Sequence, residues 1–291
     1  MMSRSGRHFR AAHSSAQPPW ELAISPEDAG WGWSSLRVLS LAPGQSVTVP
    51  AEGIEFIVLP LNGSCDVTVG DGTHHLHGRA SVFSAVTDFA YVGLAQVATI
   101  ASASGGRFAL PASRARRELP FRYVAAADVA VEFRGTGSCS RQVVNFCTPD
   151  TFEADRLIAC EVLTPGGNWS SYPPHKHDVE RDGETQLEEI YYFEVADGPH
   201  GPGMAYQRVY ASDEREIDVL EEVRSGDTVL IPHGWHGPSI AAPGYDLYYL
   251  NVMAGPGEER LWLICDDPSH AWVRQTWQQQ EIDPRLPLIL P

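Results

Sequence analysis
The sequence predicts an all-β protein made of two small antiparallel barrels or jelly rolls in series, with few short helices. Three observations point there. Apolar residues seldom recur at helical spacing, while short Val, Ile, Leu, Tyr and Phe runs alternate with Gly, Pro, Asn and Asp almost throughout. The same strand-and-turn texture fills each half of the chain. Finally, 291 residues at 43% hydrophobic and 10% aromatic composition suffice for two ordinary cores.

In the first half the strand signals fall at residues 36–41, 46–49, 55–59, 65–69, 81–83, 89–92 and 96–100. Between them, Ala42-Pro43-Gly44, Leu61-Asn62-Gly63 and Gly70-Asp71-Gly72 supply the positive-φ residues that hairpins need. A connecting segment over 112–149 carries Arg114-Ala115-Arg116-Arg117, which reads as a solvated face or an interdomain salt-bridge donor. The second half places strands at 157–164, 175–177, 189–195, 204–210, 216–223, 226–231 and 245–253. The tail from 268 holds Trp272, Trp277 and several prolines, a composition expected to pack back across a domain or against another subunit. The expected domains are 1–145 and 146–291.

Charge and termini narrow the function classes. With 21 basic and 37 acidic residues, the formal charge of −16 disfavours nucleic acid as a partner. The start of the chain lacks the apolar stretch of a secretory signal and no apolar run is long enough to span a membrane, so a cytoplasmic location is expected. Five scattered cysteines without Cys-x-x-Cys spacing read as reduced, mostly buried residues.

The chemistry is concentrated in His175-Lys176-His177, Glu189 and the run from Gly226 to His236. If His175 and His177 lie on a strand, alternation sends both imidazoles to one face and Lys176 to the other. Glu189 opens the aromatic run Glu189-Ile190-Tyr191-Tyr192-Phe193, where alternation groups it with Tyr191 and Phe193. A carboxylate sharing a buried face with two aromatics needs a charged partner, and a metal ion would serve. Three imidazoles and one carboxylate suit one divalent ion. Glu188, Glu180 and Glu184 compete for the carboxylate role, and strand register favours Glu189. In the first half, His74-His75-Leu76-His77 lacks a placed carboxylate and reads as a solvated hairpin. Gly198–Gly203 reads as a loop rather than a phosphate cradle, since no helix start follows it.

The order His-x-His, Glu, then Gly-x5-Pro-x-Gly-x-His resembles the two motifs of the cupin superfamily, whose β-barrels hold a metal in the mouth. The second motif matches closely. The first is looser, because the acidic segment 178–188 separates His177 from Glu189 and reads as a loop inserted over the barrel mouth. Longer strings resemble the 5-deoxy-glucuronate isomerase family, bicupin enzymes of bacterial myo-inositol breakdown: Pro173-Pro174-His175-Lys176-His177-Asp178, Leu187-Glu188-Glu189-Ile190-Tyr191-Tyr192, Gln207-Arg208-Val209-Tyr210 and, above all, residues 242–256. Ser140-Arg141-Gln142-Val143 and Asp283-Pro284-Arg285 extend the resemblance over nearly the whole chain. It implies conversion of 5-deoxy-glucuronate to 5-dehydro-2-deoxy-gluconate with metal ligands at His175, His177, Glu189 and His236. Trp235 stands where the family pattern leads us to expect tyrosine, which bears on the local shape of the pocket.

Such an isomerisation moves a proton between adjacent carbons through an enediol, so it needs a Lewis acid and a base. Zinc is the expected ion, with manganese, iron and nickel as alternatives. Glu188, Tyr191 and Tyr248 are the side-chain candidates for proton transfer. Arg208 is the candidate clamp for the substrate carboxylate, and a one-residue shift of register would put Gln207 inward instead. Tyr191 is a further candidate for substrate binding. Two other functions compete: an iron dioxygenase using the same ligands, and a non-catalytic sugar-acid-binding bicupin. The expected partner is a small sugar acid, and homo-oligomerisation stays open.

Overall fold
The structure, a computed structural model, describes residues 6–12, 16–212 and 215–290. Nearly all regular structure in it is β, in three sheets, with two four-residue α-helices among the described residues. The first half forms one curled nine-stranded sheet from Trp20–Ile24 to Arg122–Val124, tied together by the long strand Ile54–Val69, which pairs with Gly72–Arg79, Phe89–Val92, Val97–Ser102 and Gly106–Arg114. Its interior is filled by apolar side chains, including Leu39, Phe56, Val58, Val67, Ile100 and Phe108. His75 sits on the outside of this unit, paired with Asp66 at 2.7 Å, as expected of a solvated hairpin.

The second half closes around two sheets. One is seven-stranded, in the order Phe9–Arg10, Thr228–Ile231, Glu188–Val195, Leu247–Ala254, Ile158–Thr164, Arg141–Cys147 and Ala130–Arg134. The other is six-stranded and contains Arg215–Val223, Ala205–Ser212, Trp235–Ala241, His175–Lys176 and Cys265–Asp266, with Trp169–Ser170 paired to Trp235–Ala241. The boundary expected between 145 and 146 therefore falls inside a strand. Ala130–Arg134 and Arg141–Cys147 pair onward to Ile158–Thr164, so the connecting segment supplies two strands of the second unit. Phe9–Arg10 belongs there too, since Phe9 pairs with Val229. Sequence texture locates strands but not their partners, which is why the division was misplaced.

The tail packs against its own chain. Ile289 O accepts from Gln142 Nε2 at 2.7 Å, and Leu290 O accepts from the Val86 N–H at 2.9 Å, so the tail touches both halves. All five cysteines are free, four buried and Cys265 half-buried.

The seven-stranded sheet is covered on both faces, so its central strands read as continuous apolar runs rather than alternating ones. Toward the first unit it presents Ile190, Tyr192, Tyr248, Leu250 and Val252, which join Leu22, Leu36, Ile57 and Phe89 in one core. Toward the second interior it presents Tyr191, Phe193, Tyr249 and Cys160. Each such side chain withdrawn from water is worth roughly 1.5–3 kcal/mol.

Polar contacts fix how the two units meet. Glu161 is ion-paired with Arg79 and accepts from Tyr248 Oη at 2.8 Å. Glu55 accepts from Tyr91 Oη at 2.5 Å and from the N–H groups of Asp155, Arg156 and Leu157 at 2.8, 2.6 and 2.7 Å. In the basic cluster, Arg117 Nε donates to Asp155 Oδ1 at 2.9 Å, so one member acts as the interdomain donor expected of the cluster.

Candidate metal centre
The short pairing of His175 with His236 brings the two sequence motifs together in the six-stranded sheet. His177 follows the strand end, and its carbonyl accepts from the Leu187 N–H at 2.8 Å, which leads the chain into Glu188–Val195 on the facing sheet. His175 Nδ1 faces Pro173 O at 3.4 Å, His177 Nδ1 faces Leu187 O at 3.4 Å, and His236 Nδ1 faces Gly234 O at 3.1 Å. A carbonyl can only accept, so each Nδ1 is placed to donate to it, which leaves the Nε2 atoms to face the Glu189 carboxylate or to offer lone pairs to a metal ion. One candidate ligand atom from each of the three histidines lies within 4.8 Å of the others. All three rings are buried.

Glu189 enters from the opposite sheet. Its Oε2 lies 3.0 Å from His177 Nε2 and 3.1 Å from His236 Nε2, and its Oε1 accepts from Asn251 Nδ2 at 2.7 Å. Burial alone would raise this carboxyl, but the imidazoles of His177 and His236 outweigh it and hold it at about 2. Burial lowers His175 well below its usual 6.5, helped by the neighbouring His236 and His177. Burial also lowers His177, but its contact with Glu189 more than reverses this and leaves it raised. His236 Nε2 is close to the carboxylate yet makes no aligned hydrogen bond, a buried polar atom without a partner. An orphaned lone pair beside a neutral His175 and an ionised carboxylate is the donor set that a divalent cation satisfies. The residues therefore fit a metal.

Two features hold this geometry. Gly237 has φ 96°, and a Cβ there would sit 1.8 Å from Ser171 O, so only glycine lets the strand after His236 pass the loop that leads to His175. On the reverse side, Lys176 Nζ donates to Asp178 at 2.7 Å and Glu184 at 2.6 Å, and Asp178 Oδ2 accepts from the Gly234 N–H at 2.8 Å. The acidic segment after His177 is thus tied to the turn that carries His236. Trp235 packs against Lys176, 5.5 Å from its ring centroid, on that same side.

A narrow cavity opens beside the cluster, lined by His175, Glu189, Tyr191, Tyr249, Asn251 and Arg141 among others. Tyr191 Oη and Tyr249 Oη each lie 3.1 Å from Ser171 Oγ. Of the proton-transfer candidates, only Tyr191 lines this cavity. Glu188 points to the other face of its strand, where it accepts from the N–H groups of Gly32, Trp33 and Ser34 at 2.7, 2.8 and 3.1 Å. Tyr248 likewise faces the first unit. Arg208 is directed outward and pairs with Asp218, while Gln207 is fully buried and bonded to Ser239. The register thus selects Gln207 as inward, and neither residue lines the cavity. The expectation that Arg208 clamps a carboxylate at this site is not met.

The model of the KduI/IolB family matches residues 8–273 of the chain. The protein belongs to the KduI/IolB family. Relatives named 5-deoxy-glucuronate isomerase include one from Geobacillus kaustophilus, 37% identical over 91% of this chain and 94% of its own length. Another from Bacillus subtilis is 39% identical over 86% of this chain and 91% of its own. The crystal structure of an IolB-like protein from Salmonella typhimurium superposes with a TM-score of 0.84 at 33% identity, covering 92% of this chain and 99% of that one. An oxalate decarboxylase shares the fold at a TM-score of 0.62 and 11% identity, covering 89% and 79% of the two chains. The member of the KduI/IolB family described here is thus an all-β bicupin.

The sequence assigns no role to Asn251, Ser171 or Arg141, and it does not decide which of Tyr245, Tyr248 and Tyr249 faces the pocket; the structure places Tyr249 there. For Asn251 a signal existed: it lies two positions beyond Tyr249, so alternation puts both on one face. For Arg141 the signal was a charged residue at the start of a strand that is buried from end to end.

Proposed function
We propose that this protein is a metal-dependent aldose-ketose isomerase that converts 5-deoxy-D-glucuronate to 5-dehydro-2-deoxy-D-gluconate in myo-inositol degradation. The observation that carries the reading is the convergence of three buried imidazoles in a chain alignable over most of its length with isomerases of that name. His175, His177, Glu189 and His236 would hold the ion, with zinc as the expected metal. When bound, a divalent ion supplies Lewis acidity to the substrate carbonyl and its neighbouring hydroxyl.

The chain's own residues supply the rest. Asn251 donates to Glu189 Oε1 and fixes the carboxylate in the plane where Oε2 meets the imidazoles. Burial, then the charge of Glu189, raises Tyr191 well above 10, so its hydroxyl keeps its proton and acts as a donor toward oxygen rather than as a base. The overall reaction moves the C2 proton to C1 and the O2 proton to O1, so one donor and one acceptor must face the same end of the sugar. Tyr191 and Tyr249, bridged through Ser171, form the donor side.

The test is metal analysis of the purified protein together with an assay on 5-deoxy-D-glucuronate under strict anaerobiosis. We expect bound divalent metal and formation of the ketose without oxygen, which also excludes a dioxygenase. A fully metallated protein that forms no product would overturn the reading.

A further inference from the structure
Three arginines line the cavity beside the histidine cluster, and two of them are neutralised. Arg134 pairs with Glu132, and Arg274 is held by both carboxylate oxygens of Asp266. Arg141 differs. It is 8% exposed, and among the described residues no carboxylate lies within ion-pairing distance of it. Its protein acceptors are two backbone carbonyls, Cys139 O at 3.1 Å and Tyr172 O at 3.5 Å, and its guanidinium lies 5.8 Å from the Trp277 ring centroid. A buried cation left uncompensated is costly unless something else brings the opposite charge.

The surroundings show where that charge would come from. Arg141 shares the cavity wall with His175, Tyr249 and Asn251, and its positive charge is felt at both His175 and Tyr249. It lies on Arg141–Cys147, two strands across the sheet from the strand that carries Tyr249 and Asn251. Gly135, with φ 70°, lets the guanidinium pack tightly, since a Cβ there would fall 2.8 Å from Arg141 Nη1. The head group is thus preorganised, partly desolvated and aimed into the space where a substrate would sit.

We propose that Arg141 is the anchor for the substrate's carboxylate, and thereby the residue that selects sugar acids over neutral sugars. The inference rests on the isomerase reading for the identity of the substrate. In 5-deoxy-glucuronate the carboxylate is at the far end of the carbon chain from the reacting carbonyl. One end at the imidazole cluster and the other at a fixed cation would orient the chain uniquely. The guanidinium fork suits a carboxylate, and a lysine at the same place would supply charge without the paired donors.

The test compares Arg141→Met and Arg141→Lys with the wild type on two aldoses, 5-deoxy-glucuronate and its neutral 5-deoxy-hexose counterpart, with metal content measured in each protein. We expect Arg141→Met to raise KM for the uronate by about 10–100-fold, the loss of a charge-assisted hydrogen bond worth roughly 1.5–3 kcal/mol. Metal content stays at the wild-type level, the ratio of kcat/KM for acid over neutral sugar collapses, and Arg141→Lys recovers part of it. A purely structural arginine would depress both substrates equally and leave the ratio unchanged, which would overturn the proposal. Should the wild type fail to turn over the uronate, the isomerase reading falls by itself. Calorimetric binding of the uronate to wild type and Arg141→Lys then decides the anchor: weaker binding by the lysine variant supports it, and equal or absent binding overturns it.

Discussion

Glu189 and Glu161 lie on opposite faces of the seven-stranded sheet, at 2% and 1% exposure. Both are ionisable groups in an apolar setting, and each has three nearby donors. Around Glu161 these are the guanidinium of Arg79, the Tyr248 hydroxyl and a second Arg79 nitrogen. Around Glu189 they are Asn251 and the imidazoles of His177 and His236. The first set is a permanent cation and a phenol, and it closes the charge for good. The second consists mainly of groups whose nitrogens can give up a proton and offer a lone pair, and one of them, His236 Nε2, has no aligned partner. One face therefore fastens two units together, while the other presents a group of side chains that could hold a cation. The difference lies less in the carboxylate than in whether its neighbours are fixed donors or convertible ones.

The sharpest way to break this comparison is at the histidines. His236→Ala should reduce turnover by more than the roughly 10–100-fold seen when an outer partner of a metal ligand is lost, with metal content falling in parallel. Its unfolding transition measured without metal should stay close to that of the wild-type apoprotein. Steady-state kinetics, metal analysis and thermal denaturation on one preparation check all three.

On the other face, Arg79→Met leaves Glu161 buried and unpaired, which should cost about 3–5 kcal/mol of stability. Activity per folded molecule should be retained, because the sheet separates this pair from the cavity. Urea denaturation alongside a specific-activity measurement distinguishes the outcomes, and loss of metal in this variant would contradict the division of labour.

Asn251→Leu tests the support of Glu189 rather than the cluster itself. Removing its donor should weaken metal affinity or activity by roughly 10–100-fold. Competition with a chelator gives the affinity directly.

How far these roles could be read from the chain follows from the same two-faced sheet. Alternation along Glu189, Tyr191 and Phe193 was legible because it is a property of one strand, and it chose Glu189 over Glu188 without knowledge of the fold. The separation of the proton-transfer candidates was not. Glu188 and Tyr248 look as suitable as Tyr191 by residue type, and only the covering of the second face by the first unit reveals that they serve the interface. Arg208 was named because it is a cation on a strand between the motifs, and its register could not be fixed from one strand with mixed polarity. Arg141 lies just before the expected boundary at 145, so a division drawn by texture assigns it to the first half although its strand pairs with Ile158–Thr164 in the second. Its cavity position depends on pairings between strands distant in sequence, to which periodicity is blind.

The smallest effect expected is the acid sensitivity of the joint between the units. Burial would raise the Asp155 carboxyl, but the N–H groups of Arg116 and Arg117 and the Arg117 guanidinium hold it below its usual 3.8. A lowered folded value means this contribution is present above about 4 and is lost as pH falls through the folded value. Asp155→Asn should therefore flatten the acid limb of the stability curve while leaving activity near neutrality unchanged. An acid limb identical to that of the wild type would remove Asp155 from the account of the joint.

The most direct test of the central claim is the metal stoichiometry of Glu189→Gln read against its unfolding midpoint. Glutamine keeps the shape and the contact with Asn251 but removes the charge that the imidazoles and a cation share. The account predicts a folded protein whose cooperative unfolding persists while bound metal and turnover of 5-deoxy-glucuronate both disappear. A Glu189→Gln protein that retains its metal and its activity would show that the carboxylate on the inner face is not what completes the site.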